Sequence, residues 1–376
     1  MNQPSLQGAW KIGSIMGIPI RVHYSWLIIF GLLTWLLSSR YFPQVTPDLP
    51  FVSYWINGIL AALLLFVSVA FHELAHSYVA QRYSLTIESI TLFIFGGVAQ
   101  LKGEPPHPKA EFWIAIAGPF SSFFLSILFF FLTMATGGGL AALFAYLSRI
   151  NFILGVFNLI PGFPMDGGRV LRAGLWGRKK DYFYATQKAS VIGRAIALFF
   201  IFFGLFSIFT GGAQGFWLMI VGWFLYSAAQ ASYEQVTLQE ALYGIKVRDM
   251  MVREMKTIEP SITLDQAVDE NFLKYGYGGF PVIENGRFLG ILTLKEVKDV
   301  PREDWSRVKV SEVYVPHEKR WEVSPEADVM KALELMIKED KGRIVVTERG
   351  RIIGLITRNG IAQYVQIKGK PFGKRG

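Results

Sequence analysis

Residues 52–80, VSYWINGILAALLLFVSVAFHELAHSYVA, place the sequence His72-Glu73-Leu74-Ala75-His76 inside an apolar run long enough to cross a bilayer. On a helix, residues i and i+4 lie on one face, so His72 and His76 can hold the same metal ion with Glu73 beside it. Polar and charged side chains are costly in hydrocarbon and therefore indicate a functional site. The stretch predicts a membrane helix that carries a metal centre for hydrolysis.

The composition divides the 376-residue chain into two unlike parts. The chain is membrane-like up to about Tyr233, and beyond it charged residues are dense and apolar runs are short. This change predicts an α-helical polytopic membrane domain followed by a soluble domain. The sequence contains no cysteine, which excludes disulfides and thiolate ligands, so a zinc ion would need histidine, aspartate or glutamate.

Six apolar segments are candidates for transmembrane helices, each near the roughly 20 residues that a bilayer requires. They are residues 23–39, 54–81, 112–136, 140–160, 191–210 and 215–232. The net charge is +9, and residues 169–194 contain seven basic residues, Arg172 among them, against one acidic residue, Asp181. Because basic residues favour the cytoplasmic side, we predict a multi-pass protein of the cell membrane with both termini in the cytoplasm. We interpret the charge as orientation and not as nucleic-acid binding.

The predicted topology brings two helices together on the cytoplasmic side. His72 and His76 fall in the cytoplasmic half of the second segment, and the chain after the fourth segment emerges on the same side. Arg149 lies within the fourth segment. Two interpretations of it are open: its side chain reaches outward to the interface, or the spanning part begins later.

Residues 87–103, IESITLFIFGGVAQLKG, are rich in β-branched and aromatic residues and predict one or two short strands at the membrane surface. Gly96 and Gly97 mark a bend. An unpaired strand edge can bind an extended peptide through main-chain hydrogen bonds, so Gly96, Gly97, Val98 and Gln100 are candidate substrate-binding residues. The alternative is a hairpin that serves only packing.

A catalytic zinc ion usually has three protein ligands, so the two histidines require a third group from elsewhere in the chain. The candidate is Asp166, in the sequence NLIPGFPMDGG (158–168), where Pro161 and Pro164 interrupt the helix. An aspartate beside glycines is by itself typical of a turn. Together with the paired histidines in a membrane segment, the pattern favours a metal ligand.

Four motifs follow one another within residues 10–232: FHELAH (71–76), FGGVAQ (95–100), AGP (117–119) and NLIPGFPMDGGR (158–169). Together they resemble the site-2 protease family of intramembrane zinc metalloproteases. The resemblance implies that His72, His76 and Asp166 bind one zinc ion, that Glu73 is the general base, and that Asn158 holds the substrate or its oxyanion.

The resemblance also implies the substrate class. We expect a single-pass or membrane-tethered protein, such as a signalling or transcription-regulating precursor, to be cleaved in or near its transmembrane segment. This is regulated intramembrane proteolysis. Many relatives insert a PDZ domain after the glycine-rich strand, but residues 102–111 are too few to form one. Substrate selection must therefore use another part of the protein.

An internal repeat follows the membrane domain, because ENGRFLGILT (284–293) recurs as ERGRIIGLIT (348–357) at an offset of 64 residues. Each copy follows a helical stretch, and the layout resembles a soluble α/β pair of CBS domains. The predicted fold is thus about six transmembrane helices with a short membrane-associated β region, plus a tandem CBS module. The predicted parts are the metalloprotease domain (1–235), a linker (236–246), the first CBS repeat (247–300), a linker (301–309), the second repeat (310–368) and a tail (369–376).

The resemblance to CBS domains implies adenosine nucleotide binding and face-to-face pairing. Nucleotide-binding repeats often carry an aspartate three residues after the threonine, where this chain has Glu296 and Gly360. Adenine nucleotide binding and a docking or homodimerisation role are therefore both open, and we expect the cytoplasmic module to regulate access to the site. The alternative function is a CBS-regulated membrane transporter or channel, which gives no reason for the histidine pair with a distant Asp166.

Overall fold

The computed structural model describes residues 8–94, 96–212, 214–318, 321–349 and 351–368. The chain divides between Thr237 and Leu238 into two compact units. Among the predicted features, Phe95 of the glycine-rich motif, Gly350 of the repeat and the tail 369–376 lie outside the described residues.

The first unit combines a sheet with long helices. Its elements are β1 Ala9–Ile15, β2 Ile18–His23, α1 Ser25–Leu36, α2 Phe42–Val45, α3 Phe51–Arg82, β3 Thr86–Phe93, β4 Gly96–Lys102, α4 Pro108–Ala135, α5 Gly138–Asn158, α6 Asp166–Lys179, α7 Tyr182–Phe209 and α8 Gln214–Leu242, whose last residues belong to the second unit. A π-helical turn, Leu37–Tyr41, joins α1 to α2.

Within the described residues, five helical segments are long and apolar enough to cross a membrane: Ser25–Val45, α3, α4, α5 and α7. Large apolar side chains on them are exposed, including Phe120 (72%) and Phe206 (64%), as expected where lipid replaces water as the solvent. The predicted polytopic helical architecture is confirmed. The sixth predicted span, 215–232, lies inside α8, which is not among these five segments, and stays a prediction.

Polar side chains join the membrane helices where apolar burial supplies little net force. Ser148 Oγ on α5 donates to the Ser126 carbonyl on α4 (2.8 Å), and Ser126 Oγ donates to the Ser148 carbonyl (2.9 Å). Asn151 on α5 donates to Ser68 Oγ on α3 (3.2 Å). These bonds hold α3, α4 and α5 together.

The four strands form one sheet in the order β1–β2–β3–β4, so β4 is an edge strand. β3 and β4 correspond to the predicted strands of residues 87–103, and they are antiparallel. The β1–β2 hairpin was not predicted. It turns at Met16 (φ 53°) and Gly17 (φ 76°), and these two positive φ angles are typical of a tight type I′ turn. β2 then pairs in parallel with β3, which fixes the sheet beside α3.

The second unit contains two related halves. Its elements are α9 Val247–Met250, α10 Leu264–Ala267, β5 Gly279–Glu284, β6 Arg287–Thr293, α11 Leu294–Lys298, β7 Val315–Pro316, β8 Glu322–Val323, α12 Val329–Lys338, β9 Arg343–Glu348, β10 Arg351–Thr357 and α13 Arg358–Lys368. The strands form two three-stranded sheets, β5–β6–β7 and β10–β9–β8, each with its own apolar core.

The two halves exchange their leading segments. Val247 packs in the core of the second half, whereas Val310 packs in the core of the first. The repeated glycines permit the exchange, because a Cβ on Gly354 would lie 2.8 Å from the Val252 carbonyl oxygen and one on Gly290 would collide with the Val315 carbonyl. The predicted domain limits follow the sequence repeat and stay a prediction.

Candidate metal centre

Three buried side chains from two separate helices meet at one point. His72 and His76, one turn apart on α3, have their Nε2 atoms 3.2 Å from each other. Asp166, the first residue of α6, has its Oδ2 atom 3.1 Å from each of these nitrogens. The three residues are exposed by only 4%, 5% and 9%. The structure thus brings together the three residues that the sequence suggested as metal ligands.

The donor atoms have the spacing that a small cation requires. A tetrahedral zinc ion with bonds of 2.0–2.1 Å separates its ligand atoms by about 3.3 Å. The Nδ1 atom of His76 lies 2.6 Å from the Ile114 carbonyl oxygen, which only accepts hydrogen bonds, so Nδ1 carries the proton. The Nε2 atom of neutral His76 then directs a lone pair at the Asp166 carboxylate. These two hydrogen-bond acceptors, Nε2 of His76 and Oδ2 of Asp166, face each other in a buried site and repel each other. A cation held between them would remove the repulsion.

Helix α4 orients both imidazoles by contacting their Nδ1 atoms. Besides the Ile114 carbonyl on His76, the Ser122 hydroxyl lies 2.8 Å from Nδ1 of His72. Such outer contacts set the tautomer and the ring direction of metal-binding histidines. Sequence reasoning did not identify Ser122. Its only signal was a pair of serines, Ser121 and Ser122, within an apolar helix.

Gly118 of the AGP motif lies directly against the two imidazoles. A Cβ at this position would lie 2.5 Å from Cε1 of His76 and closer still to the Nε2 atoms of His76 and His72. Because even an alanine would occupy the space of the ring edges, glycine allows α4 to approach α3 at the level of the metal ligands. The motif is therefore part of the site.

The loop before α6 turns back tightly on itself and directs Asp166 inward. A Cβ on Gly167 would collide with the carbonyl oxygens of Leu159 and Ile160, and one on Gly168 would lie 2.6 Å from the Gly162 carbonyl oxygen. As a carboxylate, Asp166 would supply the oxygen ligand that zinc accepts beside two imidazoles.

Strand β4 passes directly over Glu73. A Cβ on Gly97 would lie 2.6 Å from Cγ of Glu73, so the glycine permits the close approach. Gly96 has a φ of 130°, a backbone conformation that favours glycine. The second glycine of the FGGVAQ motif thus brings an edge strand next to the predicted general base.

A cavity of about 580 Å³ opens beside these groups. Of the predicted site residues, it is lined by Glu73, His76, Gly97, Val98, Gln100, Asn158 and Asp166. His72 and Gly96 are not part of its lining. The side chain of Gln100 is held by Ser89, whose hydroxyl donates to its amide oxygen (3.0 Å).

Three further polar residues line the same cavity and were not predicted as site residues: Ser77, Thr91 and Arg169. Ser77, one turn after Glu73, is buried, and its hydroxyl has no hydrogen-bond partner among the described residues. Arg169 follows the MDGG sequence and brings a positive charge to the cavity wall. The cavity therefore offers donors as well as the carboxylate of Glu73.

A buried ion pair joins α6 to α4. Arg172 donates to Glu111 Oε1 from Nε (2.7 Å) and from a terminal nitrogen, and Glu111 is fully buried. The guanidinium lies over the rings of Phe163 (4.9 Å) and Tyr182 (4.8 Å). Burial disfavours the charged guanidinium and would lower its pKa. The nearby Glu111 carboxylate outweighs this effect and raises the pKa of Arg172. Arg172, one of the basic residues counted for the topology, thus pairs with a carboxylate inside the protein.

Comparison with known proteins follows the same division of the chain. Residues 60–138 and 133–203 match the sequence profile of peptidase family M50, and residues 247–303 and 310–367 each match that of the CBS domain. Rip3 of Mycobacterium tuberculosis is 34% identical over 96% of this chain and 94% of that protein. The chain belongs to peptidase family M50.

Two further similarities accompany the M50 assignment. Zinc metalloprotease MJ0392 of Methanocaldococcus jannaschii is 33% identical over 95% of this chain and 96% of that protein. Among solved structures, the site-2 protease from the same organism is 35% identical and covers 60% of this chain and 95% of that chain, with a TM-score of 0.43. The predicted membrane metallopeptidase of the site-2 protease type and the tandem CBS module are confirmed. The M50 assignment favours a peptidase over the transporter or channel.

Proposed function

We propose that this M50 peptidase is a zinc endopeptidase that hydrolyses a peptide bond in or near a transmembrane segment of another membrane protein. His72, His76 and Asp166 hold the zinc ion, Glu73 is the general base, and Asn158 assists the developing oxyanion. The observation that carries the proposal is the triangle of three buried donor atoms, 3.1–3.2 Å apart, beside a cavity that also contains Glu73.

Zinc bound by these ligands supplies Lewis acidity, which activates water and polarises a peptide carbonyl. Glu73 accepts the proton of the attacking water and returns it to the leaving amine, as a general base and then a general acid. Asn158, at the end of α5, lines the cavity and can donate its amide hydrogen to the substrate oxygen. A well-placed donor of this kind contributes about 10²–10³ in kcat.

Two variants test these roles in purified protein. We expect Glu73→Gln to retain a tightly bound zinc ion while peptide cleavage is lost, because the amide cannot accept the proton. Asp166→Ala should lose both zinc and cleavage. Zinc is measured by elemental analysis, and a chelator should abolish wild-type cleavage until zinc is returned. Proteolysis that persists in zinc-loaded Glu73→Gln would exclude the role given to Glu73, and proteolysis that persists in metal-free wild type would refute the zinc mechanism.

The open edge of β4 supports a second element of the proposal, substrate binding as an added strand. A helical substrate must unwind before attack, because its carbonyls are engaged in hydrogen bonds, and pairing with β4 would hold it extended. We expect Val98→Pro to impair cleavage while zinc content stays normal, since proline removes a main-chain donor. Val98→Thr, which keeps that donor, is the control, and equal cleavage by both variants would contradict strand addition.

The topology with both termini in the cytoplasm rests on the basic end of α6, where Arg178, Lys179 and Lys180 are exposed. The chain has no cysteine, so single cysteines can be introduced directly and labelled with an impermeant reagent. Lys180→Cys should react only from the cytoplasmic side, and Gly138→Cys only from the outside. The reverse pattern would invert the topology.

We propose further that the CBS module forms a homodimer and regulates access to the cavity. Adenine nucleotide has weaker support, because Glu296 already accepts from the Thr293 backbone N–H (3.1 Å) and from its hydroxyl, as a helix cap. In the other half, the Gly360 N–H donates to Thr357 Oγ1 (3.0 Å). Calorimetry of the full chain with ATP, ADP and AMP separates the alternatives. Tight binding of one of these nucleotides, together with a changed cleavage rate, would favour nucleotide sensing over dimerisation as the role of the module.

A further inference from the structure

Arg149 lies near the middle of a membrane-spanning helix and is exposed on its surface. Helix α5 has 21 residues and, at 1.5 Å per residue, is about 30 Å long, the thickness of the hydrocarbon core. Arg149 follows Gly138 by eleven residues and precedes Asn158 by nine. Within the described parts of the chain it has no hydrogen bond or ion pair. The helix is continuous through this position.

A guanidinium keeps its charge, and in a lipid-facing position it is stabilised by a partner of opposite charge. Arg149 lies about 13.5 Å along α5 from Asn158, which lines the cavity beside the metal ligands. Within the five apolar segments the only carboxylates are Glu73, which lines the cavity, and Glu111, which is bound to Arg172. A second copy of the same segments would offer no other. A carboxylate on a different membrane protein would supply the partner.

The surface around Arg149 leads to the cavity. Phe152, Ile153 and Val156 follow it at helical spacing on the same face and are exposed by 54%, 50% and 47%. The next residues, Phe157 and Asn158, line the cavity. We call Arg149, Phe152, Ile153 and Val156 the α5 stripe. It is an apolar track with one positive charge at one end and the proposed active site at the other.

We propose that the α5 stripe docks the transmembrane helix of the substrate and that Arg149 pairs with an aspartate or glutamate on that helix. The inference rests on the proposed peptidase function and specifies its substrate class. The spacing between Arg149 and Asn158 sets the position of the acid. Because a helix rises 1.5 Å per residue and an extended chain about 3.3 Å, the substrate carboxylate lies about nine residues from the scissile bond where the chain between them is helical and about four where it is extended, on the side that the predicted topology places away from the cytoplasm.

The test compares four single-pass substrates in bilayers of zwitterionic lipid, at the position between four and nine residues from the cleavage site where aspartate is cleaved best. One carries aspartate there, one carries asparagine, one carries lysine, and one carries the aspartate two residues farther from the cleavage site, on the opposite helix face. We expect wild-type protein to prefer the first substrate by about tenfold, the effect of one charge-assisted contact. Arg149→Leu should lose this preference, and Arg149→Asp should prefer a lysine substrate. Arg40→Leu, at another exposed arginine of a membrane segment, should keep it.

Two readouts separate this inference from the proposed function. The preference is the ratio of the rates at which one variant cleaves the aspartate and the asparagine substrates. A general loss of activity lowers both rates equally and leaves this ratio unchanged. Binding to the inactive Glu73→Gln protein, followed by photocrosslinking from position 152, reports docking without cleavage. Equal treatment of aspartate and asparagine by wild type, or an equal preference in Arg149→Leu, would overturn the inference. So would a dependence of Arg149 variants on anionic lipid with both substrates, which would assign the guanidinium to lipid phosphate. Failure of wild type to cleave any substrate while the docking preference persists would instead contradict the peptidase proposal.

Discussion

The contact between Gly118 and the two imidazoles predicts that a single added methyl group disables the metal centre. In Gly118→Ala the Cβ would lie 2.5 Å from Cε1 of His76, whereas unstrained non-bonded atoms stay about 3.5 Å apart. Either α4 or the rings must therefore move by about 1 Å. Metal–ligand distances tolerate about 0.2 Å, so the ligand set cannot absorb this displacement.

The expected effect is a loss of zinc affinity and of cleavage by about 100-fold or more, since 1 Å of misplacement at a reacting centre costs about 10² in rate. Zinc affinity is measured by competition with a chromogenic chelator, and cleavage by single turnover with saturating zinc. Alanine has the higher helix propensity, by about 1 kcal/mol, so propensity alone would not destabilise the helix.

Gly31→Ala is the matched control. Gly31 lies on α1 in another membrane segment, and a Cβ there would have no atom within 4 Å. We expect this variant to keep zinc and turnover. If Gly118→Ala also bound zinc with wild-type affinity and cleaved at the wild-type rate, α4 would not be pressed against the metal ligands, and the role assigned to the AGP motif would be wrong.

The remaining predictions concern residues that support the site. Ser122→Ala removes the hydroxyl beside His72 and should weaken zinc binding by about 10–100-fold, measured by the same chelator competition; unchanged affinity would show that the hydroxyl does not orient the ring. Glu111→Gln leaves the Arg172 charge buried without its partner and should lower the free energy of unfolding by about 3–5 kcal/mol, measured by denaturant titration in detergent. The double variant Glu111→Leu/Arg172→Met should lose less, because no unpaired charge stays buried. A double variant as unstable as Glu111→Gln would contradict this account of the pair.

Much of the architecture could be predicted because hydrophobic length is a strong signal. The long apolar runs gave the helices α3, α4, α5 and α7, although their ends differ from the predicted ones by up to nine residues. The histidine spacing and the proline and glycine residues around Asp166 indicated which side chains would converge. The motif spacing did not show which ligand atoms would face one another, because that depends on how α6 packs against α3. His76 and Asp166 are 90 residues apart in the sequence.

The parts that were missed depend on tertiary contacts. The β1–β2 hairpin is short and its turn, Met16-Gly17, resembles many loop sequences, so only its parallel pairing with β3 identifies it. Ser122 and Gly118 look like ordinary small residues of a membrane helix until α4 packs against α3. Nothing in the sequence pairs Arg172 with Glu111, because the two residues lie 61 positions apart.

The exchange of leading segments in the second unit has a consequence for how that part of the protein can be dissected. Each half completes its hydrophobic interior with residues that the sequence repeat assigns to the other, through Val247 on one side and Val310 on the other. Cutting the chain between the repeats would leave both fragments with an unfilled interior and an exposed glycine-bearing strand. The tandem module must therefore melt in one transition, and no isolated half will serve as a faithful fragment for binding studies.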